Sequence, residues 1–299
     1  MNMRTVLTFC ALLLLGSAWA QPGDLGEANE KYRAGDLDGA RVLLDRAIRD
    51  PDLSATAETW VLRGFVYKDL YKAAIKGEGA ALLRDEALAS LYTALEEDTA
   101  KQYTASTLPA YDYLSRTIYN DAVHTLNNLA PDSATEFYRK YKEAVRRLVP
   151  DTTFTVRDVE FGNALGTVQV KLFNKDRSDM KWYNEAVTTY LAVLAKEPGN
   201  YGANYNLATL YYNRGVFNIQ RIDADNDIPS IQQIQEASRD FFTLALPYME
   251  KAHEMDPDRK ETLIGLEGIH YSLQDEEKSK YYRHMYEELK HDDSPGKDQ

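Results

Sequence analysis

Apolar side chains recur every three to four positions along most of the chain, which is the period of an α-helix. Breaks in this pattern fall mostly at Pro and Gly, and no clear β-strand alternation persists. One spacing repeats: a small or apolar residue, another four positions later, another three after that, and a Pro five further on. Two stretches fit it fully, namely Ala186/Tyr190/Val193/Pro198 and Ala245/Met249/Ala252/Pro257. The pattern therefore predicts an all-α chain built from a repeated helical unit.

Partial copies of this spacing occur elsewhere in the chain. They are Ala40, Leu44 and Ala47 with Pro51 one residue early, Ala87, Leu91 and Ala94 with Thr99 in the place of Pro, and Phe137, Tyr141 and Ala144 with Pro150 one residue late. Two helices joined by a short turn approach closely only where small side chains lie at their crossing. Proline then ends the second helix, because it lacks the N–H that continues the hydrogen-bond ladder. The spacing thus predicts closely packed helix pairs.

The stretches 201–215 and 245–259, placed end to end, resemble a tetratricopeptide repeat (TPR), which is a helix–turn–helix unit. The 29 residues 216–244 separate the two halves, where the family has only a short turn. The resemblance extends over about residues 25–289. It implies an α-solenoid of five to six stacked antiparallel helix pairs, with lengthened connections inside the repeats.

The expected pairs follow one another along the chain. They cover about 25–49 with a turn at Gly35, 54–98 with a turn within 72–79, 104–147, 156–198, 201–259 and 259–289. Ser133 and Glu136 form an S-x-x-E capping box, which predicts that the second helix of the third pair begins there. Thr and Val are frequent around 152–170, so a strand is the alternative to the helix expected from Val156.

The insert at 216–244 has a pattern of its own. Residues 219–230 are expected to form a loop, and a helix is expected to begin near Pro229 and continue into the second helix of the repeat. Asp223, Asp225 and Asp227 alternate as in a calcium-binding loop, but Ile228 stands where that loop needs its sharp-turn Gly. An acidic, solvated loop is the better interpretation, and no metal site is expected.

The N-terminus has the features of a secretory signal peptide. Arg4 precedes an apolar run from Val6 to Leu15, and Ala18-Trp19-Ala20 gives an A-x-A cleavage site. That run is shorter than the roughly 20 residues that span a bilayer. We expect a signal at 1–20, a helical domain at 21–290 and a disordered charged tail at 291–299. This organisation predicts an exported protein, periplasmic or secreted, without stable membrane insertion.

Charge and composition narrow the possible partners. The formal charge is −12 at pH 7, so a polyanion such as nucleic acid is repelled at long range and is not an expected partner. The only cysteine, Cys10, lies inside the expected signal. No H-E-x-x-H pair, nucleophile elbow, phosphate loop or dinucleotide fingerprint occurs in the chain. The sequence therefore predicts a protein that is not an enzyme and that uses no cofactor.

The candidate binding residues come from the resemblance to TPR domains. In that family the first helix of each pair lines a concave groove where peptides often bind. By resemblance, Tyr205, Asn206, Thr209, Tyr212 and Asn213 would face this groove. The leading hypothesis is an exported scaffold that binds a protein or peptide there. The alternative is a helical carbohydrate- or small-ligand-binding protein of the cell envelope, since Tyr and Asn also suit sugar stacking and hydroxyl recognition.

Overall fold

The structure, a computed structural model, describes residues 23–74, 78–223 and 225–292. Within these ranges the chain is all-α, with thirteen helices and no strand. The helices are α1 Gly23–Ala34, α2 Leu37–Ala47, α3 Pro51–Ser54, α4 Ala57–Ala73, α5 Glu78–Glu97, α6 Thr104–Asn127, α7 Pro131–Leu148, α8 Thr155–Lys175, α9 Met180–Lys196, α10 Tyr201–Ile219, α11 Ile228–Met255, α12 Lys260–Ser272 and α13 Glu276–Asp292. Apart from the one-turn α3, they follow one another as the six expected pairs.

Consecutive helices of a pair run antiparallel. Along α8 and α9, a Cβ on Gly162 would touch Val193, and the Phe173 ring lies 5.3 Å from the Tyr183 ring. The residue numbers of the contacts thus rise along α8 while they fall along α9, as in an antiparallel pair. A short connection between two helices makes them pack side by side in opposite directions.

The described chain forms two compact units. Unit 1 comprises the described residues up to Ile118 together with Glu143–Pro150, and unit 2 comprises Tyr119–Lys142 together with the described residues from Asp151 onward. The expected signal peptide (1–20) and residues 293–299 of the expected tail lie outside the described residues. Helix α13 continues to Asp292 and so includes the first two residues of that tail.

Small residues lie at the helix crossings, as the repeated spacing predicts. A Cβ on Gly64 of α4 would lie 2.5 Å from the Leu91 side chain of α5, so these two helices touch at that point. A Cβ on Gly215 of α10 would likewise lie 2.5 Å from the Phe242 ring of α11. Four of the five copies of the repeated spacing are buried at their helical positions, which are Ala40, Leu44, Ala47, Ala87, Leu91, Ala94, Ala186, Tyr190, Val193, Ala245, Met249 and Ala252.

Residues at the turns end one helix and start the next where the sequence predicts it. Gly35 has φ +82°, a left-handed conformation that favours glycine, and it separates α1 from α2. Asp36 then caps α2 by accepting a hydrogen bond from the Gly39 N–H. Helix α4 ends at Ala73 and α5 begins at Glu78, inside the range expected for that turn.

The predicted start and register of α7 were wrong. The helix begins at Pro131 rather than at the capping box, so Ser133 lies inside its first turn. Proline suits the first helical position, where its missing N–H has no partner to lose. Ala134 and Tyr138 are buried, whereas the predicted core residues Phe137, Tyr141 and Ala144 are only half-buried.

Two other uncertain segments are helical. Residues 155–175 form α8, which excludes the strand alternative there. In the insert, α10 ends at Ile219 and α11 starts at Ile228, close to the predicted start near Pro229. Asp227 caps α11 by accepting a hydrogen bond from the Ser230 N–H. The insert is thus a loop plus an N-terminal extension of the second helix.

Candidate functional site

An open cavity of about 130 Å³ lies between α8, α9 and α10 in unit 2, and we call it the α8–α10 groove. Its lining residues are Thr167, Val170, Lys171, Phe173, Asn174 and Arg177 from α8 and the connection after it, Tyr190 from α9, and Asn206, Thr209, Leu210, Asn213 and Phe217 from α10. Polar side chains therefore come from both long walls of the groove.

The floor of the groove is the fully buried Tyr190. A Cβ on Gly166 would lie 2.6 Å from its ring, so only glycine lets α8 lie this close to the tyrosine. The Tyr190 hydroxyl lies 3.5 Å from Thr167 Oγ1. Burial raises the pKa of this hydroxyl, with hydrogen bonds to Thr167 and Asn206 acting in the opposite direction. The floor thus presents a neutral phenol.

One wall is a row of uncharged polar side chains on α10. Asn206 and Asn213 are seven residues apart, with Thr209 between them, and all three line the cavity. Seven residues advance a helix by about 10 Å, which is close to the span of three residues of extended peptide. Asn174 offers a further amide from α8. Each amide side chain can both donate and accept hydrogen bonds.

The far end of the groove is cationic and aromatic. The guanidinium carbons of Arg177, Arg214 and Arg221 lie 5.5, 5.5 and 5.8 Å from the centre of the Phe217 ring. Phe217 and Arg177 line the cavity, and so does Lys171. None of the three arginines forms a salt bridge with any carboxylate among residues 23–74, 78–223 and 225–292. We call these three arginines and Phe217 the arginine cluster.

Glycine and alanine at the crossings, with aromatic rings packed against them, are the features that the repeat resemblance implies. The fold is TPR-like. No protein-family model matches the chain, and no curated protein matches it. Among solved structures 25 chains match.

Three of these structures illustrate the range of similarity. The chain is similar to MamA from AMB-1 at 13% identity, with 92% of both chains covered and a TM-score of 0.32. It is similar to the S. pombe nuclear import adaptor Nro1 at 14% identity, with 92% and 93% covered and a TM-score of 0.36. It is similar to YrrB, a TPR protein with an unusual peptide-binding site, at 20% identity, with 80% and 88% covered and a TM-score of 0.24.

The TPR-like fold separates the five predicted groove residues into two sets. Asn206, Thr209 and Asn213 line the α8–α10 groove, whereas Tyr205 and Tyr212 do not. The Tyr212 hydroxyl would lie 2.7 Å from a Cβ on Gly268 of α12, so this tyrosine packs toward the next pair. Tyr205 stacks on Tyr201, with ring centres 5.9 Å apart and planes 8° from parallel.

The wall from α8 was not among the predicted site residues, although the sequence carries a signal for it. Gly166 and Ala208 each follow a leucine, Leu165 and Leu207, at the same motif position of their first helices. Aligning these two positions places Thr167 with Thr209 and Lys171 with Asn213. Both members of each aligned couple line the groove. The first helices of two successive TPR-like pairs thus contribute equivalent positions.

The acidic loop of the insert has structural roles in the described residues. Asp223 accepts a hydrogen bond from the Asp225 N–H, and Asp227 caps α11. Among the described residues, no three His, Cys, Asp or Glu side chains are grouped so that they could hold a metal ion. Within the same residues, no helix is both long and apolar enough to cross a bilayer.

Proposed function

We propose that this protein is a non-enzymatic scaffold that binds an extended segment of a partner protein in the α8–α10 groove. The observation that carries the proposal is the row Asn206–Thr209–Asn213, which faces polar side chains of α8 across an open cavity. Two amides about 10 Å apart suit backbone groups three residues apart in an extended peptide. Backbone recognition of this kind tolerates many sequences, because every non-proline residue carries the same N–H and C=O groups.

Rigid walls make such a groove effective. The amides lie on α8 and α10, and each of these helices packs closely on the second helix of its own pair, through Gly166 against Tyr190 and Gly215 against Phe242. Side chains held on packed helices lose less freedom on binding than side chains on loops, so more of the interaction energy remains as affinity. The partner supplies the segment that becomes ordered.

Export belongs to the same proposal. The charged start, apolar run and A-x-A motif of residues 1–20 support it. Mass spectrometry of the protein recovered from the cell envelope or the medium should find a chain that begins at Gln21. Recovery of a cytoplasmic chain that retains residues 1–20 would contradict export.

Selection from a library of random displayed peptides tests the binding function. Wild-type protein should enrich peptides, and the variant Asn206→Ala/Asn213→Ala should bind them roughly 5- to 100-fold more weakly, because two neutral hydrogen bonds are lost. The control Gln232→Ala/Gln233→Ala removes two exposed amides of α11, outside the groove, and should bind normally.

A thermal-shift screen with glycans tests the alternative ligand class. The peptide proposal expects no sugar to stabilise the protein. Stabilisation by a sugar that is lost in Asn206→Ala/Asn213→Ala, combined with no peptide enrichment, would replace the scaffold with a carbohydrate-binding protein. Equal peptide binding by the groove variant and its control would contradict the groove assignment.

A further inference from the structure

The arginine cluster gathers three positive charges around one aromatic ring. Arg177 comes from the connection after α8, Arg214 precedes Phe217 by three residues on α10, and Arg221 follows it by four. All three guanidinium carbons lie within 5.8 Å of one ring centre. Like charges gathered this closely repel one another unless an anion lies among them.

The acidic residues nearest in sequence are engaged with backbone groups. Asp176 accepts hydrogen bonds from Ser178, and Asp179 accepts one from the Lys181 N–H at the start of α9. Within the described residues, no carboxylate oxygen comes within salt-bridge distance of the cluster arginines. The protein thus holds this charge unneutralised although its overall formal charge is −12.

Arg214 supplies a second, independent observation. Its Nε and Nη1 atoms are buried, and neither has a hydrogen-bond partner among the described residues. Buried donors without partners are costly, so they are rare in folded proteins. The fold therefore holds the Arg214 guanidinium beside Phe217 without satisfying all of its donors.

We propose that the arginine cluster binds the carboxylate of an acidic side chain, Asp or Glu, within the partner segment. This inference rests on the proposed function and names the ligand class for one end of the same groove. Guanidinium groups present paired donors that match a carboxylate. Phe217 offers an apolar face to the methylene groups of that side chain, while the amide row holds the adjacent backbone.

A peptide carboxylate fits these observations better than a polyanion does. The cluster is compact and adjoins uncharged amides rather than a long basic stripe, which extended nucleic acid requires. The acidic remainder of the protein repels a polyanion but tolerates a single carboxylate. Single-stranded DNA therefore serves as the competing probe in the test.

The test uses three pools of short, N-acetylated and C-amidated peptides whose central position is fixed as Glu, Gln or Lys. Fluorescence anisotropy with the wild-type protein should show that the Glu pool binds about tenfold or more tightly than the Gln pool. Rising salt should narrow this difference, because the charged interaction is screened. The DNA probe should bind more weakly than the Glu pool.

Two matched double variants test whether the preference for the Glu pool depends on the arginine cluster. Arg177→Gln/Arg221→Gln should reduce the Glu-over-Gln ratio to about threefold or less. Arg33→Gln/Arg239→Gln removes two exposed arginines elsewhere and should leave the ratio intact. Circular dichroism verifies that each variant is folded. The reversal Arg177→Glu/Arg221→Glu should transfer the preference to the Lys pool.

The possible failures are distinguishable. Equal binding of the Glu and Gln pools would overturn the carboxylate site and leave the peptide groove standing. Binding of no pool would overturn the proposed function together with this inference. Tighter binding of DNA than of the Glu pool, lost in Arg177→Gln/Arg221→Gln, would assign the cluster to nucleic acid instead.

Discussion

Two arginine sites, one in each unit, have different surroundings. In unit 1, Arg63 of α4 is only 6% exposed, and each of its nitrogens has a partner. Nε donates to Asp45 at 3.0 Å, Nη1 to Ser90 at 2.6 Å and Nη2 to Glu86 at 2.7 Å. In unit 2, the arginine cluster shares an aromatic ring and has no carboxylate partner among the described residues.

The difference separates a structural charge from a charge available for binding. Asp45 belongs to α2, Arg63 to α4, and Glu86 and Ser90 to α5, so this single arginine connects three helices. Tyr67 adds a hydrogen bond to the same Asp45 carboxylate at 2.8 Å. Burial, followed by that hydrogen bond, raises the pKa of the Tyr67 hydroxyl to about 12. In this network all three guanidinium nitrogens of Arg63 are engaged within the fold.

Removal of the paired arginine should have the largest effect on stability. Arg63→Met leaves the Asp45 carboxylate without its cation, so we expect the free energy of unfolding to fall by about 3–5 kcal/mol. Urea denaturation followed by circular dichroism measures this. A loss below about 1 kcal/mol would show that Arg63 does not connect the helices as the geometry indicates.

Unit 2 also contains a charge that is paired within the fold, the carboxylate of Asp158, so the contrast between paired and unpaired charges can be tested inside this unit. Asp158 accepts hydrogen bonds from Tyr138 at 2.8 Å, Lys196 at 3.0 Å and Lys142 at 3.2 Å. Asp158→Asn should cost about 1–3 kcal/mol, because it weakens these charge-assisted bonds. Thermal and urea unfolding check the size of this loss, with Asp225→Asn in the exposed loop as the control.

The dependence of stability on pH tests whether the negative charge of Asp158 causes the loss of stability in Asp158→Asn. Burial acts to raise the pKa of Asp158, but hydrogen bonds from Tyr138, Lys196 and Lys142 outweigh it and lower this pKa below its ordinary value of 3.8. A carboxyl whose folded pKa is lowered contributes stability above its unfolded pKa and loses it as pH falls through the folded value. The gap between wild type and Asp158→Asn should therefore be full at pH 7 and shrink below about pH 4. A gap that stays constant down to pH 2 would contradict this origin.

A change of shape at the groove floor, with every charge left in place, should have an intermediate effect on the free energy of unfolding. Gly166→Ala puts a methyl group against the Tyr190 ring, which should cost about 1–3 kcal/mol, partly offset by about 1 kcal/mol of helix propensity. Gly202→Ala is the matched control, because its nearest contact would be an ordinary 3.6 Å. Equal unfolding midpoints for the two variants would show that the floor adapts without cost.

Neutralising a cluster arginine should have the smallest effect on stability. Arg177→Gln should change the free energy of unfolding by no more than about 0.5 kcal/mol, because no salt bridge among the described residues is lost. At low salt the variant should be slightly more stable than wild type, if it differs at all, because the remaining cluster arginines repel one less positive charge. Urea curves at low and high salt give the comparison. A loss comparable to that of Arg63→Met would erase the contrast between the units.

Local signals predicted most of the fold. Gly35 and the crossing residues act within one helix pair, so the sequence indicates them directly. The start of α7 was missed because Ser133 and Glu136 match a local capping pattern, while Pro131 two residues earlier suits the first turn.

The site was only partly predictable because its geometry depends on contacts distant in sequence. Asn206 and Asn213 follow from the face of α10 alone. The orientation of Tyr212 depends on Gly268, and the approach of Arg177 to Phe217 joins residues 40 positions apart. No helical periodicity encodes these two relations, so the resemblance could not supply them.

The insert between α10 and α11 has a consequence for how such chains can change length. Gly215 still faces Phe242, and the Tyr211 and Tyr248 rings still lie 6.2 Å apart, on either side of the added residues. The crossing therefore keeps its register although the connecting segment is long. A graft of foreign sequence at 222–226, which keeps Arg221 and the α11 cap Asp227, should leave the helix pair intact. This segment begins five residues after Phe217, so it is also a natural place to engineer a third wall for the groove.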